Sequence, residues 1–164
     1  MPKIDQDAFR QAMCSFPTGV VIVATVDGER QPWGFTASSF SSVSLDPPLV
    51  LVCLAKEADC HPAFAAARAF SISILRSGDE ALARLFATRG VSKFEGGEFT
   101  TGDHGLPLMP AAVAALACSK FADYDCGDHT VIVGEVRSVC LGSPDDALVY
   151  YRRDYWRLRK PSVR

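Results

Sequence analysis

Runs of apolar residues in this sequence are short: Pro47 to Ala55, for example, falls far below the roughly 20 residues a membrane-spanning helix needs. Charge of one sign is also lacking. With 17 basic and 19 acidic side chains the formal net charge is −2, which gives no electrostatic reason to expect nucleic acid. No basic and then apolar leader opens the chain; Met1 to Asp7 is polar and carries acids, so a cytoplasmic protein without a membrane partner is expected. The absence of G-x-x-x-x-G-K-S/T excludes a P-loop, and the absence of G-x-G-x-x-G after a strand excludes a Rossmann dinucleotide site. No G-x-S-x-G is present to support a serine hydrolase. The six cysteines, at 14, 53, 60, 118, 126 and 140, include no C-x-x-C pair. They read as reduced thiols, with Cys53 and Cys140 packing as small hydrophobes inside apolar runs. Cys118, Cys126 and His129 match no structural zinc spacing and lack a fourth ligand, so no metal is expected.

What the sequence does hold is a core. Hydrophobic residues make up 48% of the 164, enough for one domain over 1–164, with its body at about 9–156 and a basic tail at 157–164. Asp5 to Met13 reads as a short amphipathic helix with Phe9 and Met13 on one face. Val20 to Val26 and Gln31 to Phe35 read as the arms of a hairpin around Asp27-Gly28. Ser41 to Leu45 alternates like a strand, Asp46-Pro47-Pro48 makes a corner, and Leu49 to Leu54 reads as a strand buried on both faces. Asp59 is placed to cap a helix over His61 to Ala67, and Phe70 to Leu75 alternates as a half-buried strand. Ser77 or Asp79 caps a second helix, Glu80 to Ala87, with Leu82, Leu85 and Phe86 facing inward. Residues 88–110 form a long loop. The strands Ala112 to Tyr124, Thr130 to Cys140 and Ala147 to Tyr151 complete the pattern. Roughly six or seven strands against about three short helices predict a mainly antiparallel β-barrel with a few peripheral helices.

Two features bear on chemistry. Thr36-Ala37-Ser38-Ser39 offers hydroxyls and backbone N–H groups without bulk, which suits an anion such as a phosphate or a simple serine-rich connection. His129, in Gly127-Asp128-His129-Thr130, is open to three roles: base, metal ligand or substrate contact. Adjacent strand residues point to opposite faces, so a relay from Asp128 to His129 is not expected. His61 and His104 read as surface residues. Lys56, Arg89 and Lys93 read first as solvated charges and second as ligand contacts, and Phe94 as a core edge or a stacking ring.

In order along the chain, Phe16-Pro17-Thr18-Gly19-Val20, the stretch Gly34 to Val50 (GFTASSFSSVSLDPPLV), Lys93-Phe94, Gly127-Asp128-His129 and Leu148-Val149-Tyr150-Tyr151 resemble the flavin reductase-like family. These are short-chain NAD(P)H:flavin oxidoreductases that serve two-component monooxygenases. The resemblance runs from about Phe9 to Trp156. It implies an FMN-binding split β-barrel, Greek-key-like, that takes FMN or FAD with NADH or NADPH as hydride donor. It also implies a homodimer with the flavin near the subunit interface and a flavin-dependent monooxygenase as partner. A non-catalytic flavin-binding carrier or sensor is the alternative on the same barrel. By the same resemblance Thr36, Ala37, Ser38 and Ser39 meet the isoalloxazine and ribityl-phosphate. Cys53, Leu54 and Lys56 lie close to the flavin, and Lys93, Phe94 and the candidate catalytic His129 meet flavin or nicotinamide. Two departures stand out. Glu57-Ala58-Asp59 replaces the family's hydroxyl and amide side chains after the strand, and Ser73 stands where an asparagine is common.

Overall fold

The protein is described by a computed structural model over residues 4–102, 105–142 and 144–159, which leaves His104 and the end of the basic tail outside. Asp5 caps helix α1 (Gln6–Cys14) by accepting the Asp7 amide at 2.9 Å. Phe9 and Met13 lie four apart on it as the sequence predicts, but both are exposed and no side chain of α1 is buried.

After β1 (Thr18–Gly19) the chain makes the expected hairpin, β2 (Val21–Val26) against β3 (Pro32–Ala37). Its turn is longer than two residues and is organised by Asp27. That carboxylate accepts the Glu29 and Gln31 amides at 2.9 Å each and the Trp33 indole N–H at 2.8 Å. These bonds, Trp33's first, hold the Asp27 carboxyl below the usual aspartate range.

β4 (Ser41–Leu45) and β5 (Pro48–Ala55) follow, then α2 (His61–Ala66), β6 (Ala69–Ile74) and α3 (Glu80–Ala87). The 88–110 stretch is not structureless, because β7 (Thr100–Thr101) and β8 (Pro107–Leu108) pair within it. A long hairpin, β9 (Ala114–Cys126) with β10 (His129–Leu141), precedes β11 (Leu148–Tyr151) and β12 (Asp154–Arg157). A further strand, β12, which the sequence pattern does not signal, pairs Tyr155 and Trp156 with Tyr150 and Val149 just before the basic tail.

All strand pairs are antiparallel, and seven strands run in the order β3-β2-β6-β9-β10-β5-β4. The mainly β, antiparallel architecture with few helices is the one expected. β6 is an interior strand, flanked by β2 and β9, and is buried on both faces rather than one. Its buried Ser71 is accommodated because the hydroxyl donates to the Pro107 and Ala24 carbonyls. β5 shows the converse correction. Val50, Val52 and Leu54 point inward, while Leu49, Leu51 and Cys53 form a half-exposed outer face. Asp59 does not cap α2, whose N-cap is Cys60, and Leu85 of α3 is exposed, leaving Ala83 and Phe86 as its buried contacts.

Strand alternation on β2 divides the core. Val21 and Val23 face a cluster with Phe35, Val52, Phe64, Phe70 and Ile132; Val20 and Ile22 face a second one beneath α3, with Leu75, Phe86 and Leu148. Each large apolar side chain so buried contributes about 1.5–3 kcal/mol. The six cysteines are free thiols; Cys140 is exposed and Cys53 half-buried, so neither packs fully inside. No helix among the described residues is long and apolar enough to cross a membrane.

β3 and β4 end the strand order, and the sheet curls until β3 meets β5. Ser39, just past β3, spans the junction: its hydroxyl oxygen accepts the Cys53 amide at 2.9 Å. Among the described residues no ladder joins β3 to β5, so the barrel stays split along that seam.

Candidate functional site

The seam opens into a cavity of about 770 Å³. Trp33 to Thr36 of β3 form one side, Cys53 to Ala55 of β5 the other, and the 86–94 segment closes a third. Ala58, Asp59 and Cys60 line its end and His129 its rim.

The β3 edge facing this space is unpaired. In an antiparallel ladder, hydrogen-bonded pairs alternate with non-bonded ones, and a residue's N–H and C=O point the same way. Pro32 opposite Val26 has no N–H, and Gln31 opposite Asp27 gives its carbonyl to the Asp27 amide. Gly34 and Thr36 share Pro32's phase, so their amides point away from β2 toward the seam. The Gly34 carbonyl confirms the direction by accepting Lys93 Nζ at 3.2 Å.

Of the residues singled out from sequence, Thr36, Cys53, Leu54, Lys93, Phe94 and His129 line the cavity; Ala37, Ser38, Ser39 and Lys56 do not. Several of their polar atoms already have protein partners. The Thr36 hydroxyl donates to the Ala83 carbonyl of α3 at 2.6 Å. Lys93 Nζ donates to the Phe86 carbonyl at 2.9 Å as well as to Gly34, tying the 88–94 wall to both α3 and β3. Burial pushes the Lys93 ammonium down from the usual lysine range and the neighbouring Cys60 thiol up. Lys56 turns away, donating to the Gly127 carbonyl at 2.7 Å and to the Asp125 carboxylate.

His129 corrects a sequence expectation. Asp128 belongs to the turn rather than the strand, so strand alternation does not separate the two side chains, and Nδ1 lies 2.7 Å from Asp128 Oδ1. His61 is half-buried, not superficial, with Nε2 at 3.0 Å from the Thr130 hydroxyl. Among the described residues no group of three or more His, Cys, Asp or Glu could hold a metal ion.

Sequence reasoning passed over Trp33, Gly34, Asp59 and Phe86 as site residues. Gly34 carried a usable signal: a glycine inside a strand marks a close approach. A Cβ there would lie 2.9 Å from Phe86 and 3.1 Å from Phe94. Asp59 carried another as part of the acidic departure; its carboxylate accepts the Gly90 amide at 3.1 Å and so fixes the wall loop.

The cavity's size is that of a cofactor site. Its ring-walled cleft and bare amides fit a flat heterocycle with carbonyl oxygens. Comparison with known proteins agrees. A family model described as a flavin reductase like domain matches residues 13–159. The NADH:riboflavin 5'-phosphate oxidoreductase of Streptomyces pristinaespiralis is 40% identical over 94% of this chain and 89% of its own length. The reductase component of 4-hydroxyphenylacetate 3-monooxygenase from Thermus thermophilus is 39% identical over 96% and 99%. Among solved structures, the NADH:FAD oxidoreductase of Streptomyces globisporus C-1027, in complex with NAD and FAD fragments, superposes with a TM-score of 0.90 at 37% identity, covering 97% of this chain and 96% of that one. A family match across nearly the whole chain, on a split antiparallel barrel whose seam holds a flavin-sized cavity, makes this protein a member of the flavin reductase-like family.

Proposed function

We propose that the chain catalyses NAD(P)H-dependent reduction of FMN or FAD and supplies the reduced flavin to a partner monooxygenase. The observation that carries this reading is the cavity at the seam, with unpaired β3 amides on one wall and one histidine at its rim. Nicotinamide and flavin, when bound, would supply the redox chemistry themselves, hydride transfer from one ring to the other. The chain's share is to hold two flat rings in contact and keep water away. That task needs no nucleophile or metal, which accounts for a site without a classical catalytic constellation.

The Gly34 and Thr36 amides would hold a flavin by donating to its carbonyl or ring-nitrogen acceptors, and such donors would favour negative charge on the reduced ring. Ala37, Ser38 and Ser39 continue that small-residue edge beyond the cavity, and Cys53 and Leu54 form the opposing wall. Phe94 packs the side fixed by Lys93. Lys56 acts at one remove, through the turn that carries His129, and His129 orients the nicotinamide.

The protein works as a homodimer. Leu49, Leu51 and Cys53 form the half-exposed outer face of β5, and Cys53 continues through Val131 of β10 to exposed Tyr124 of β9 as an apolar stripe. Cys53 also lines the cavity, so a second copy seated there lies against the site. Sedimentation equilibrium is expected to give twice the 17.7 kDa chain mass, and a lone monomer would remove this part of the proposal.

Turnover is tested with FMN and FAD, each against NADH and NADPH, by following loss of nicotinamide absorbance. Flavin-dependent consumption is the expected result. Flavin binding without consumption would mark a carrier or sensor. His129→Ala is expected to lower kcat/KM for the nicotinamide about tenfold while flavin binding persists, since one hydrogen bond is removed.

A further inference from the structure

Asp128 occupies the second position of the two-residue turn joining β9 to β10, after Gly127 at φ +66°. A glycine of positive φ in first position is the two-residue hairpin arrangement. The end of β5 clamps this turn. Lys56 N–H donates to the Asp128 carbonyl at 2.9 Å, and its Nζ holds the Gly127 carbonyl and the Asp125 carboxylate. Both side chains therefore leave a fixed backbone, and His129 Nδ1 meets Asp128 Oδ1 at 2.7 Å. No described residue bonds Nε2.

We propose that Asp128 is a positioning residue: its carboxylate fixes the His129 ring and its Nδ1 proton, so that Nε2 faces the cavity as a bare acceptor for the carboxamide NH2 of a nicotinamide. The carboxamide part rests on the reading of the cavity as a nicotinamide–flavin site; the positioning part does not.

The chemistry follows from the donor inventory. An ionised carboxylate can only accept, so the facing ring nitrogen must carry the proton, and a neutral imidazole then has none left for Nε2. The bond from His129 holds the Asp128 carboxyl below the usual aspartate range, which keeps it ionised at neutral pH. An unconstrained histidine favours the opposite tautomer, with the proton on Nε2. The Asp128 side chain is 94% exposed, so the pair adds little to stability; its effect is on orientation and tautomer. A bare Nε2 is matched to an amide NH2 and mismatched to the flavin's carbonyl oxygens, N1 and N5, which are acceptors.

The test begins with nitrogen-15 spectra of histidine-labelled protein without ligands, with His129 assigned by its loss in His129→Gln. The wild type is expected to show His129 protonated on Nδ1. Asp128→Ala should move the proton toward Nε2, whereas Asp128→Asn, whose amide oxygen still accepts, should keep the wild-type signature. In turnover, Asp128→Ala is expected to raise KM for NADH about tenfold and leave KM for flavin within about twofold, with Asp128→Asn within about threefold of wild type. An unchanged tautomer in Asp128→Ala overturns the positioning role. A rise confined to flavin KM overturns the carboxamide assignment. The spectra need no turnover, so a wild type that consumes no NADH would sink the carboxamide part and the functional reading together while the positioning role is still decided.

Discussion

Gly134→Ala is expected to destabilise the fold by about 3 kcal/mol, lowering Tm by roughly 6–12 °C for a chain of this size. Gly134 sits on β10 where the register with β9 shifts, opposite Lys120. A Cβ at that position would overlap the Phe70 ring and lie 2.9 Å from Cys118 Cβ. Neither neighbour can yield easily, because Phe70 and Cys118 are 1% and 2% exposed in the main core cluster. At interior packing density the ring has no free volume to swing into. Thermal melts of Gly134→Ala alone and with Phe70→Leu separate overpacking from loss of glycine's backbone freedom. Smaller leucine should recover part of the loss in the double mutant, giving a favourable coupling between the two sites. Additive losses would show that the Phe70 contact is not the cause.

How much of this arrangement the sequence discloses depends on where each partner lies along the chain. Helix α3 was placed at Glu80–Ala87 from apolar spacing, and the β2–β3 hairpin from the run of β-branched residues before Asp27-Gly28. Both signals are local. The burial of β6 on two faces is not local, because alternating Ser71 and Ser73 read as solvent-facing, and the acceptors that accommodate the Ser71 hydroxyl, Pro107 and Ala24, come from other segments. β12 escaped for a related reason. A short pairing of Tyr155 and Trp156, set among arginines, has no apolar period of its own and depends on β11 beside it.

The site follows the same division. Resemblance marked Thr36, Ser39, Lys56 and Lys93, yet it could not say that their polar atoms meet Ala83, Cys53, Gly127 and Gly34, because those partners are distant in sequence. These side chains shape the cavity by joining strands, helix and loop, and leave backbone amides to face it. The Asp128–His129 contact was missed through a boundary: alternation holds within a strand, and Asp128 stands one residue outside β10.

Gly34→Val brings the fold and the site to one measurement. Gly34 is buried on β3, and a Cβ there would lie 2.9 Å from Phe86 Cε1, 3.0 Å from the Val23 carbonyl oxygen and 3.1 Å from Phe94 Cζ. The Val23 contact is backbone in the neighbouring strand, so relief has to come from the aromatic rings. Phe86 and Phe94 pack edge to face at 5.0 Å and both line the cavity, and Lys93 holds the same wall through the Gly34 carbonyl. Valine's methyl groups therefore displace the wall against which the flavin is proposed to lie. Flavin affinity is expected to fall about thirtyfold, equivalent to ~2 kcal/mol, read by fluorescence quenching on titration with FMN. A Tm measured on the same sample separates this from unfolding. If Tm falls while FMN binds as tightly as to the wild type, the flavin lies away from the Phe86–Phe94 wall and the seam is not its site.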